Sequence, residues 1–226
     1  MKGANPMRQA KADKRFPLRT AGGMRRAARR SGLAALAALL FLSPAFAGWQ
    51  EQATPRDVER LGRLAESRAR GLEEASRAAP ADRAAIRSVL DAATVAVRED
   101  RLVGLWRCRT LKLGGMTPAV VYGWFRCRIS HGQDGLVFEK LSGSQRTSGV
   151  LYANGDGLVY LGASYVTAYG QPEKKPVYSG NGASAGAAAT PDDQIGLFSM
   201  ICAGRARLEL PYPVQESTFD VIELKR

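Results

Sequence analysis

Two short segments of this chain, each an aromatic residue followed by Arg-Cys-Arg, are near-copies of one another. They occupy 106–109 and 125–128, and a glycine-containing stretch at 114–118 lies between them. Both are part of runs rich in β-branched and aromatic residues, a pattern that predicts the two arms of a β-hairpin. We expect Cys108 and Cys127 to form a disulfide across this hairpin, which indicates an oxidising compartment.

The first 47 residues have the composition of an export signal. Four arginines between 25 and 30 precede the apolar run 33–42, and Ala45-Phe46-Ala47 fits the small-x-small rule for signal cleavage. The apolar run is well short of the roughly 20 residues that a membrane helix needs. We therefore predict a signal peptide at 1–47, with Met24 as an alternative start. Cleavage after Ala47 would leave a mature chain in the periplasm, exported by the general secretion or the twin-arginine route.

The net charge of the chain comes mainly from this signal. The whole chain has 33 basic and 21 acidic residues and a net charge of +12. Ten of the basic residues and one of the acidic residues lie in 1–47, so the mature chain has a net charge of only +3. This small excess does not favour a nucleic-acid-binding protein, which usually carries a strongly basic surface.

The chain has three cysteines, so one has no intramolecular partner. If Cys108 pairs with Cys127, Cys202 stays free, and its apolar neighbours at 198–201 predict a buried side chain. The alternative is that none of the three cysteines forms a disulfide. The mature chain is long enough for one domain with a hydrophobic core.

The mature chain begins with a predicted helical segment at 48–100. Thr54 is a suitable N-cap, and Pro55 suits the first position of a helix. We expect an amphipathic helix from there to about Ala78 and a second one at 82–93. This helical hairpin packs on the rest of the domain or, as the alternative, serves as an arm for a partner protein.

Residues 101–226 have the pattern of short strands separated by turns. About eight antiparallel strands with short links are typical of a barrel or a strongly curled sheet, so we predict an α+β fold that is mostly β. One long link, 170–193, is rich in Gly, Ala, Ser and Pro, and we expect a flexible surface loop there. The predicted strands are Leu102–Leu113, Ala119–Ser130, Leu136–Leu141, Gln145–Ala153, Leu158–Ala168, Gln194–Cys202, Ala206–Leu210 and Thr218–Leu224.

The predicted hairpin has two faces of different chemistry. If its two cysteines lie opposite each other, side-chain alternation places them on one face and the neighbouring arginines on the other. Arg107 would then lie opposite Arg128, and Arg109 opposite Arg126. The predicted arginine face consists of Arg107, Arg109, Arg126, Arg128, Tyr122 and Trp124.

The arginine face is a candidate anion-binding site. Guanidinium groups grip phosphate or carboxylate with two parallel hydrogen bonds, and an aromatic ring can stack on a sugar. An anionic envelope glycan or lipid head group is therefore the expected partner, or else an exported protein. The alternative is that nearby carboxylates neutralise the arginines, and the acids considered for that role are Glu139, Asp220, Glu223, Glu66 and Glu73.

Several ordered motifs of the mature chain resemble one family. They are Arg107-Cys108-Arg109, Phe125-Arg126-Cys127-Arg128, the segment 140–146, Leu210-Pro211-Tyr212-Pro213, Glu216-Ser217 and the segment 220–224. Together they resemble an uncharacterised family of exported bacterial proteins, the domain of unknown function 4893. The resemblance implies a periplasmic protein with an N-terminal helical part and a β-rich remainder, and it brings no activity. Gly104-Leu105-Trp106 is also similar to the opening of lipocalin-like barrels, which is an analogy of fold alone.

The sequence contains no motif that names a reaction. His131 is the single histidine and has no partner at metal-ligand spacing, so we expect neither a metal nor a cofactor. Ser142 and Ser144 lie near Lys140, but a lysine acts as a base only when burial lowers its pKa. We expect a non-enzymatic, envelope-associated binding protein that uses the barrel mouth or the arginine face. The alternatives are an inhibitor of an exported hydrolase and an enzyme with an unrecognised site.

Overall fold

The computed structural model describes residues 48–168, 175–180 and 190–226. The predicted signal peptide at 1–47 lies outside these residues, as does most of the predicted loop 170–193. Helices occupy the first part of the described chain, and strands occupy the rest. The helices are α1 (Trp49–Gln52), α2 (Pro55–Gly62), α3 (Leu64–Ala75) and α4 (Pro80–Leu90), followed by a 3-10 turn at Glu99–Arg101.

The start of the helical segment follows the prediction. Thr54 caps α2, because its hydroxyl oxygen accepts a hydrogen bond from the Asp57 amide at 3.2 Å, and Pro55 is the first helical residue. The prediction of a single helix that runs to about Ala78 is wrong in one respect. It is divided at Arg63, which ends α2 and begins α3 in a non-helical conformation.

Within the described residues, nine strands form one antiparallel sheet that closes into a barrel. Each strand pairs with the next along the sheet, and β9 pairs with β1, which closes the barrel and removes its open edges. β2 and β3 both pair with the same side of β1, so the barrel is eight strands around. The mostly β fold with preceding helices is therefore confirmed. The strands are β1 (Gly104–Leu113), β2 (Ala119–Val121), β3 (Phe125–His131), β4 (Leu136–Lys140), β5 (Gln145–Asn154), β6 (Gly157–Val166), β7 (Asp193–Cys202), β8 (Arg205–Pro211) and β9 (Phe219–Lys225).

The predicted disulfide is present, but the predicted register of its hairpin is wrong. Cys108 and Cys127 are bonded, with their Cα atoms 5.9 Å apart. Cys108 lies opposite Phe125, and Arg107 lies opposite Arg126, a shift of two residues from the expected pairing. Because side chains alternate with a period of two, this shift leaves the cysteines inside the barrel and the arginines outside.

A β-bulge at Gly123 separates β2 from β3. Leu111 pairs with Val121 and Cys108 pairs with Phe125, so three residues on one strand face only two on the other. The extra residue reverses the alternation, and Tyr122 and Trp124 therefore lie on opposite faces. The expectation that Tyr122 lies on the arginine face is wrong, since it lines a small inner pocket with Thr110 and Lys140.

One half of the barrel interior is filled by apolar side chains. The Phe138 and Tyr160 rings meet edge to face, with centroids 5.9 Å apart. Gly149 and Gly162 face each other beside Tyr160, and a Cβ on Gly162 would lie 2.2 Å from the Tyr160 hydroxyl oxygen. The two glycines thus leave space for the Tyr160 ring, which lies at the boundary of the apolar half of the interior. Its other members include Leu102, Trp106, Cys108, Cys127, Ile129, Leu136, Phe198, Leu208 and Leu224.

Helices α3 and α4 cover part of the outer surface of β1 and β9. Leu111 and Leu113 lie on the same outer face as the arginines, but they are buried beneath the helices with Phe219 and Val221. This explains why the polar residues on the outer face of β1 end at Arg109 without a bulge in that strand. The predicted packing of the helical hairpin on the rest of the domain is therefore confirmed.

Buried charges join α4 to the barrel. Arg207 donates to the carbonyls of Val89 and Ala92, each at 2.9 Å, and so caps the C-terminal end of α4. Its guanidinium also bonds Glu209 at 2.8 Å, and Glu209 accepts a further bond from Arg68. The buried charges of Arg207 and Glu209 thus have opposite charges beside them.

The described part of the long link is anchored. Tyr178 is buried and donates to the Asp57 carboxylate at 2.5 Å, while the Thr54 amide donates to the Tyr178 hydroxyl at 3.0 Å. The Ser179 amide donates to Asp193 at 3.1 Å. The expectation of a flexible surface loop is therefore wrong for residues 175–180, which are held against α2 and β7.

Cys202 is the free cysteine, as expected, but its predicted burial is wrong. It is exposed at the end of β7, where an irregularity between Met200 and Cys202 turns it away from the core. Among the residues that the structure describes, no helix has the length and apolar character needed to cross a membrane.

Candidate functional site

The arginine face lies on the outer surface of β1 and β3, away from the cysteines. Arg107 and Arg126 are direct neighbours across the two strands, and both are exposed. Trp124 lies beside them, with its ring centroid 5.7 Å from the Arg107 guanidinium and 4.8 Å from that of Arg109. Lys225 Nζ lies 4.0 Å from the same centroid. Three cations thus contact one aromatic ring.

Two of the four arginines are neutralised, as the alternative interpretation expected. Arg109 bonds Glu223 at 2.7 Å, and Glu223 also bonds Arg205 at 2.7 Å. Arg128 bonds Glu139 at 2.6 Å, and Glu139 also bonds Lys175.

The other acids considered for this role lie elsewhere. Asp220 faces the barrel interior, Glu66 on α3 bonds Arg63 at 2.8 Å, and Glu73 is exposed on α3.

Arg107 and Arg126 have no such counter-ion. Within the described part of the chain, no carboxylate lies within 4.0 Å of either guanidinium. The backbone of Arg126 is held in place, because its amide donates to Ser142 Oγ at 2.8 Å and its carbonyl accepts from Leu141 at 2.8 Å. Two like charges are therefore fixed side by side on an exposed face, an arrangement that is unfavourable without a bound anion.

The second candidate site is the open half of the barrel, here called the barrel mouth. It is a cavity of about 430 Å³ at the end of the barrel opposite the apolar core. An eight-stranded barrel is wide enough to hold one small ligand when side chains do not fill it. The inward-facing residues that line the barrel mouth are Thr110, Lys112, Lys140, Gln145, Thr147, Ser164, Gln194, Leu210, Asp220 and Ile222.

Lys140 is the most unusual of these residues. It is only 7% exposed, and its Nζ donates to the Gln145 carbonyl at 2.7 Å and lies 4.4 Å from the Phe125 ring centroid. No carboxylate of the described chain lies within 4.0 Å of it. Burial, followed by the charges of Lys112 and Arg146, lowers the pKa of Lys140 to about 8.

Asp220 lies on β9 at the barrel mouth, where it is the cross-strand neighbour of Lys112 on β1. Its carboxylate accepts a hydrogen bond from the Ser217 hydroxyl at 2.6 Å, while Lys112 forms an ion pair with Glu216. Burial raises the pKa of Asp220 to about 6, although Ser217 and Lys112 oppose the rise. Asp220 therefore has a hydrogen-bond donor and an opposite charge nearby, whereas Lys140 has no opposite charge of the described residues within 4.0 Å.

Hydroxyl and amide groups form the floor of the barrel mouth. The Tyr160 hydroxyl lies 2.5 Å from Thr147 Oγ1, which donates to the amide oxygen of Gln194 at 2.5 Å. Tyr160 is fully buried, and this burial raises the pKa of its hydroxyl well above the usual range. The floor thus presents neutral polar groups, and the charged groups lie above it.

The sequence prediction named the barrel mouth but none of its residues. A signal for Lys112 and Thr110 was available, because both continue the inward-facing alternation that begins at Cys108. Lys140 and Asp220 had no comparable signal, since only closure of the barrel brings β4 and β9 to one cavity.

The serine–lysine arrangement considered from the sequence is not formed among the described residues. Ser142 is bonded to the Arg126 amide, whereas Lys140 is bonded to Gln145. His131 is exposed at the end of β3. The described chain also holds no cluster of three or more His, Cys, Asp or Glu side chains that could hold a metal ion.

These features define a small antiparallel β-barrel with helices on its outer surface, a half-open interior and a cationic outer face. The family described as "Domain of unknown function (DUF4893)" matches residues 49–224. The match covers most of the chain, and the protein belongs to this family. A comparison with curated proteins finds no match.

Proposed function

We propose that this protein is a non-enzymatic binding protein of the periplasm that attaches to anionic groups of the cell envelope through the arginine face. The observation that supports this function is the adjacent pair Arg107 and Arg126, which are exposed and have no carboxylate of the described residues within 4.0 Å. Ion pairs neutralise the neighbouring Arg109 and Arg128. The two remaining guanidinium groups are therefore available to an external anion.

The chemistry of the pair favours phosphate or carboxylate. Arginine presents several N–H donors in a planar fork, and two forks side by side can grip one tetrahedral or planar anion. Binding would also relieve the repulsion between Arg107 and Arg126. Trp124 lies beside the pair, where its ring can pack on the sugar of a glycan or the glycerol part of a lipid head group.

The proposed compartment is supported by two features. The Cys108–Cys127 disulfide is compatible with an oxidising environment outside the cytoplasm. The first 47 residues have the composition of an export signal. Both are expected of a protein that meets envelope polymers.

Inhibition of an exported hydrolase receives less support. A barrel inhibitor would be expected to have a filled interior and a protruding N-terminal segment. Here the interior is half open, and α1 packs on the barrel, with the Trp49 indole donating to Asn154 at 3.3 Å. An enzyme is the second candidate, because Lys140 and Asp220 are two titratable groups with shifted pKa values in one cavity.

The test is charge reversal on the arginine face. Arg107→Glu combined with Arg126→Glu should weaken binding to phosphatidylglycerol vesicles or to an anionic polysaccharide by at least about tenfold, because two charge-assisted contacts are lost. Binding should be measured by co-sedimentation and by pull-down, and it should decrease with added salt. The two probes distinguish a lipid from a glycan as the source of the anion.

A matched control has the same change in net charge at a different place. Arg56 and Arg77 are exposed on the helical side of the protein. Arg56→Glu combined with Arg77→Glu should leave binding nearly unchanged. Absence of binding to either probe by the parent protein, or equal losses in the two double variants, would contradict the proposed function.

A further inference from the structure

The interior of the barrel changes character halfway along its axis. Below Phe138 and Tyr160, the strands contribute apolar side chains that pack together. Above them, the same strands contribute Thr147, Gln194 and Lys140 to the barrel mouth. A barrel that needed only stability would continue the apolar packing, because buried polar groups contribute less than well-packed apolar ones. The stability of the fold therefore does not explain why the other half of the interior is polar.

Among the residues that the structure describes, Lys140 has no oppositely charged partner in the barrel mouth. Lys112 has Glu216, and Asp220 has the Ser217 hydroxyl and the nearby Lys112. The Lys140 ammonium has one carbonyl acceptor and the face of Phe125. An ammonium group can donate three hydrogen bonds, so Lys140 retains donor capacity beside an open cavity. The group that satisfies a buried cation most fully is an anion.

The opening of the barrel mouth is lined by exposed apolar side chains. Val166 is 76% exposed and Val214 is 40% exposed, and both border the cavity. Pro176, Pro191 and Pro213 lie around the same opening. Exposed apolar groups gathered around a polar cavity mark a surface that contacts a ligand.

We propose that the barrel mouth is a second binding site, which takes a small organic anion with its charged group at Lys140 Nζ and its apolar part against the opening at Val166 and Val214. A carboxylate and a phosphate monoester share the required charge. The cavity volume of about 430 Å³ lies within the range of sites for small molecules. This site is separate from the arginine face, on the inner rather than the outer side of β1.

The charges that face Lys140 come from several elements of the barrel. Lys112 on β1 and Arg146 on β5 oppose its protonation. Asp220 on β9 and Glu216 before it are acids of the cavity, Asp192 borders the opening, and Asp193 at the start of β7 also lines the cavity while accepting a hydrogen bond from the Ser179 amide. A bound anion adds the counter-charge that Lys140 lacks, so we expect binding to stabilise the protonated amine.

The test compares ligands that share one tail and differ in the head group. Isothermal titration calorimetry of the protein, purified after export, with octanoate, octyl phosphate, octanol and octylamine measures the preference for charge. We expect octanoate or octyl phosphate to bind at least about tenfold more tightly than octanol, and octylamine to bind least, as for a charge-assisted contact. The two anions distinguish a carboxylate ligand from a phosphate ligand.

Two variants test whether the Lys140 ammonium group causes the preference for an anion. Lys140→Met should remove the preference for the anion over octanol, whereas Lys140→Arg should retain it because the charge remains. Lys225→Met, which removes a cation from the outer face near Trp124, serves as the control and should leave the preference for the anion over octanol unchanged. The double variant Arg107→Glu/Arg126→Glu should also bind the octyl anions normally, which keeps this test independent of the arginine face.

Proton linkage provides a second measurement. Near pH 8.5, binding of octanoate should take up a fraction of a proton in the parent protein and none in Lys140→Met, as shown by titrations in two buffers of different ionisation enthalpy. The inference is wrong if none of the four compounds binds, if octanol binds as tightly as both anions, or if Lys140→Met keeps the preference.

Discussion

At the scale of single residues, Lys140 shows a conflict between stability and binding. Its ammonium is buried inside the barrel with no carboxylate of the described chain within 4.0 Å, although Met has a similar shape and would fill the same space without a charge. The neighbouring Lys112 and Arg146 add repulsion. A residue that lowers stability in this way is typical of a site under selection for a ligand.

The first prediction concerns this residue. Lys140→Met should raise the free energy of unfolding by about 1 kcal/mol at pH 7, because it removes an unpaired buried charge at the loss of one hydrogen bond. The pKa of Lys140 is lowered from 10.5 to about 8 in the folded protein, so the unfolded chain binds more protons between these values. The destabilisation caused by burying the protonated amine is therefore fully present below pH 8 and disappears as the pH rises towards 10.5.

Urea unfolding of both proteins at pH 7 and near pH 10 measures this difference. The advantage of Lys140→Met should be large at the lower pH and small at the higher one. Lys175, which is paired with Glu139 at the surface, provides the control, and Lys175→Met should change the free energy of unfolding by less than about 0.5 kcal/mol. A variant that is less stable than the parent at pH 7 would show that Lys140 stabilises the barrel.

At the scale of elements, the close approach of α3 to the barrel depends on one glycine. Gly71 lies in the middle of α3, where a Cβ would be 2.7 Å from Phe219 Cβ and 3.3 Å from Leu113 Cβ. Glycine is normally unfavourable inside a helix by about 1 kcal/mol relative to alanine. Its presence at this position lets the helix backbone lie directly on β1 and β9.

The second prediction compares two glycines of the helical segment. Gly71→Ala should lower the free energy of unfolding by about 2 kcal/mol, because the overlap with Phe219 exceeds the gain in helix propensity. At Gly62, the last residue of α2, an added Cβ would meet no atom within 4 Å, so Gly62→Ala should be neutral or stabilising by up to about 1 kcal/mol. Thermal unfolding followed by circular dichroism would show a lower midpoint for Gly71→Ala and an unchanged or higher midpoint for Gly62→Ala, and equal shifts would contradict the packing described for α3.

At the scale of the whole molecule, the disulfide joins the strands where the barrel closes. β1 pairs with β3 on one side and with β9 on the other, and the bond between Cys108 and Cys127 fixes the first of these pairings. The bond closes a chain segment of 19 residues, which limits the conformations open to the unfolded chain.

The third prediction follows from this constraint. The double variant Cys108→Ala/Cys127→Ala should lose about 3 kcal/mol of unfolding free energy, the value expected for a loop of this length. Cys202→Ser should leave stability unchanged because Cys202 is exposed and unbonded. Urea unfolding with and without a reducing agent provides the measurement, and a parent protein that is insensitive to reduction would contradict the prediction.

Sequence patterns alone predicted the local structure of this protein. The N-cap at Thr54, the disulfide, the placement of the strands and the outward direction of the arginines each depend on residue types and spacings within a short stretch of chain. Turn residues and side-chain alternation act over a few positions, so they can be interpreted without knowledge of the fold. The pattern of strands and turns predicted the β-rich architecture behind the helices, and the family resemblance implied the same.

Tertiary structure alone decided which of these residues meet. The bulge at Gly123 placed Tyr122 inside the barrel and Trp124 outside, a difference of one residue that the composition of the hairpin does not indicate. The neutralisation of Arg109 by Glu223 requires β9 to close on β1. Lys140 and Asp220 share one cavity for the same reason, because barrel closure brings together side chains from strands that are distant along the chain.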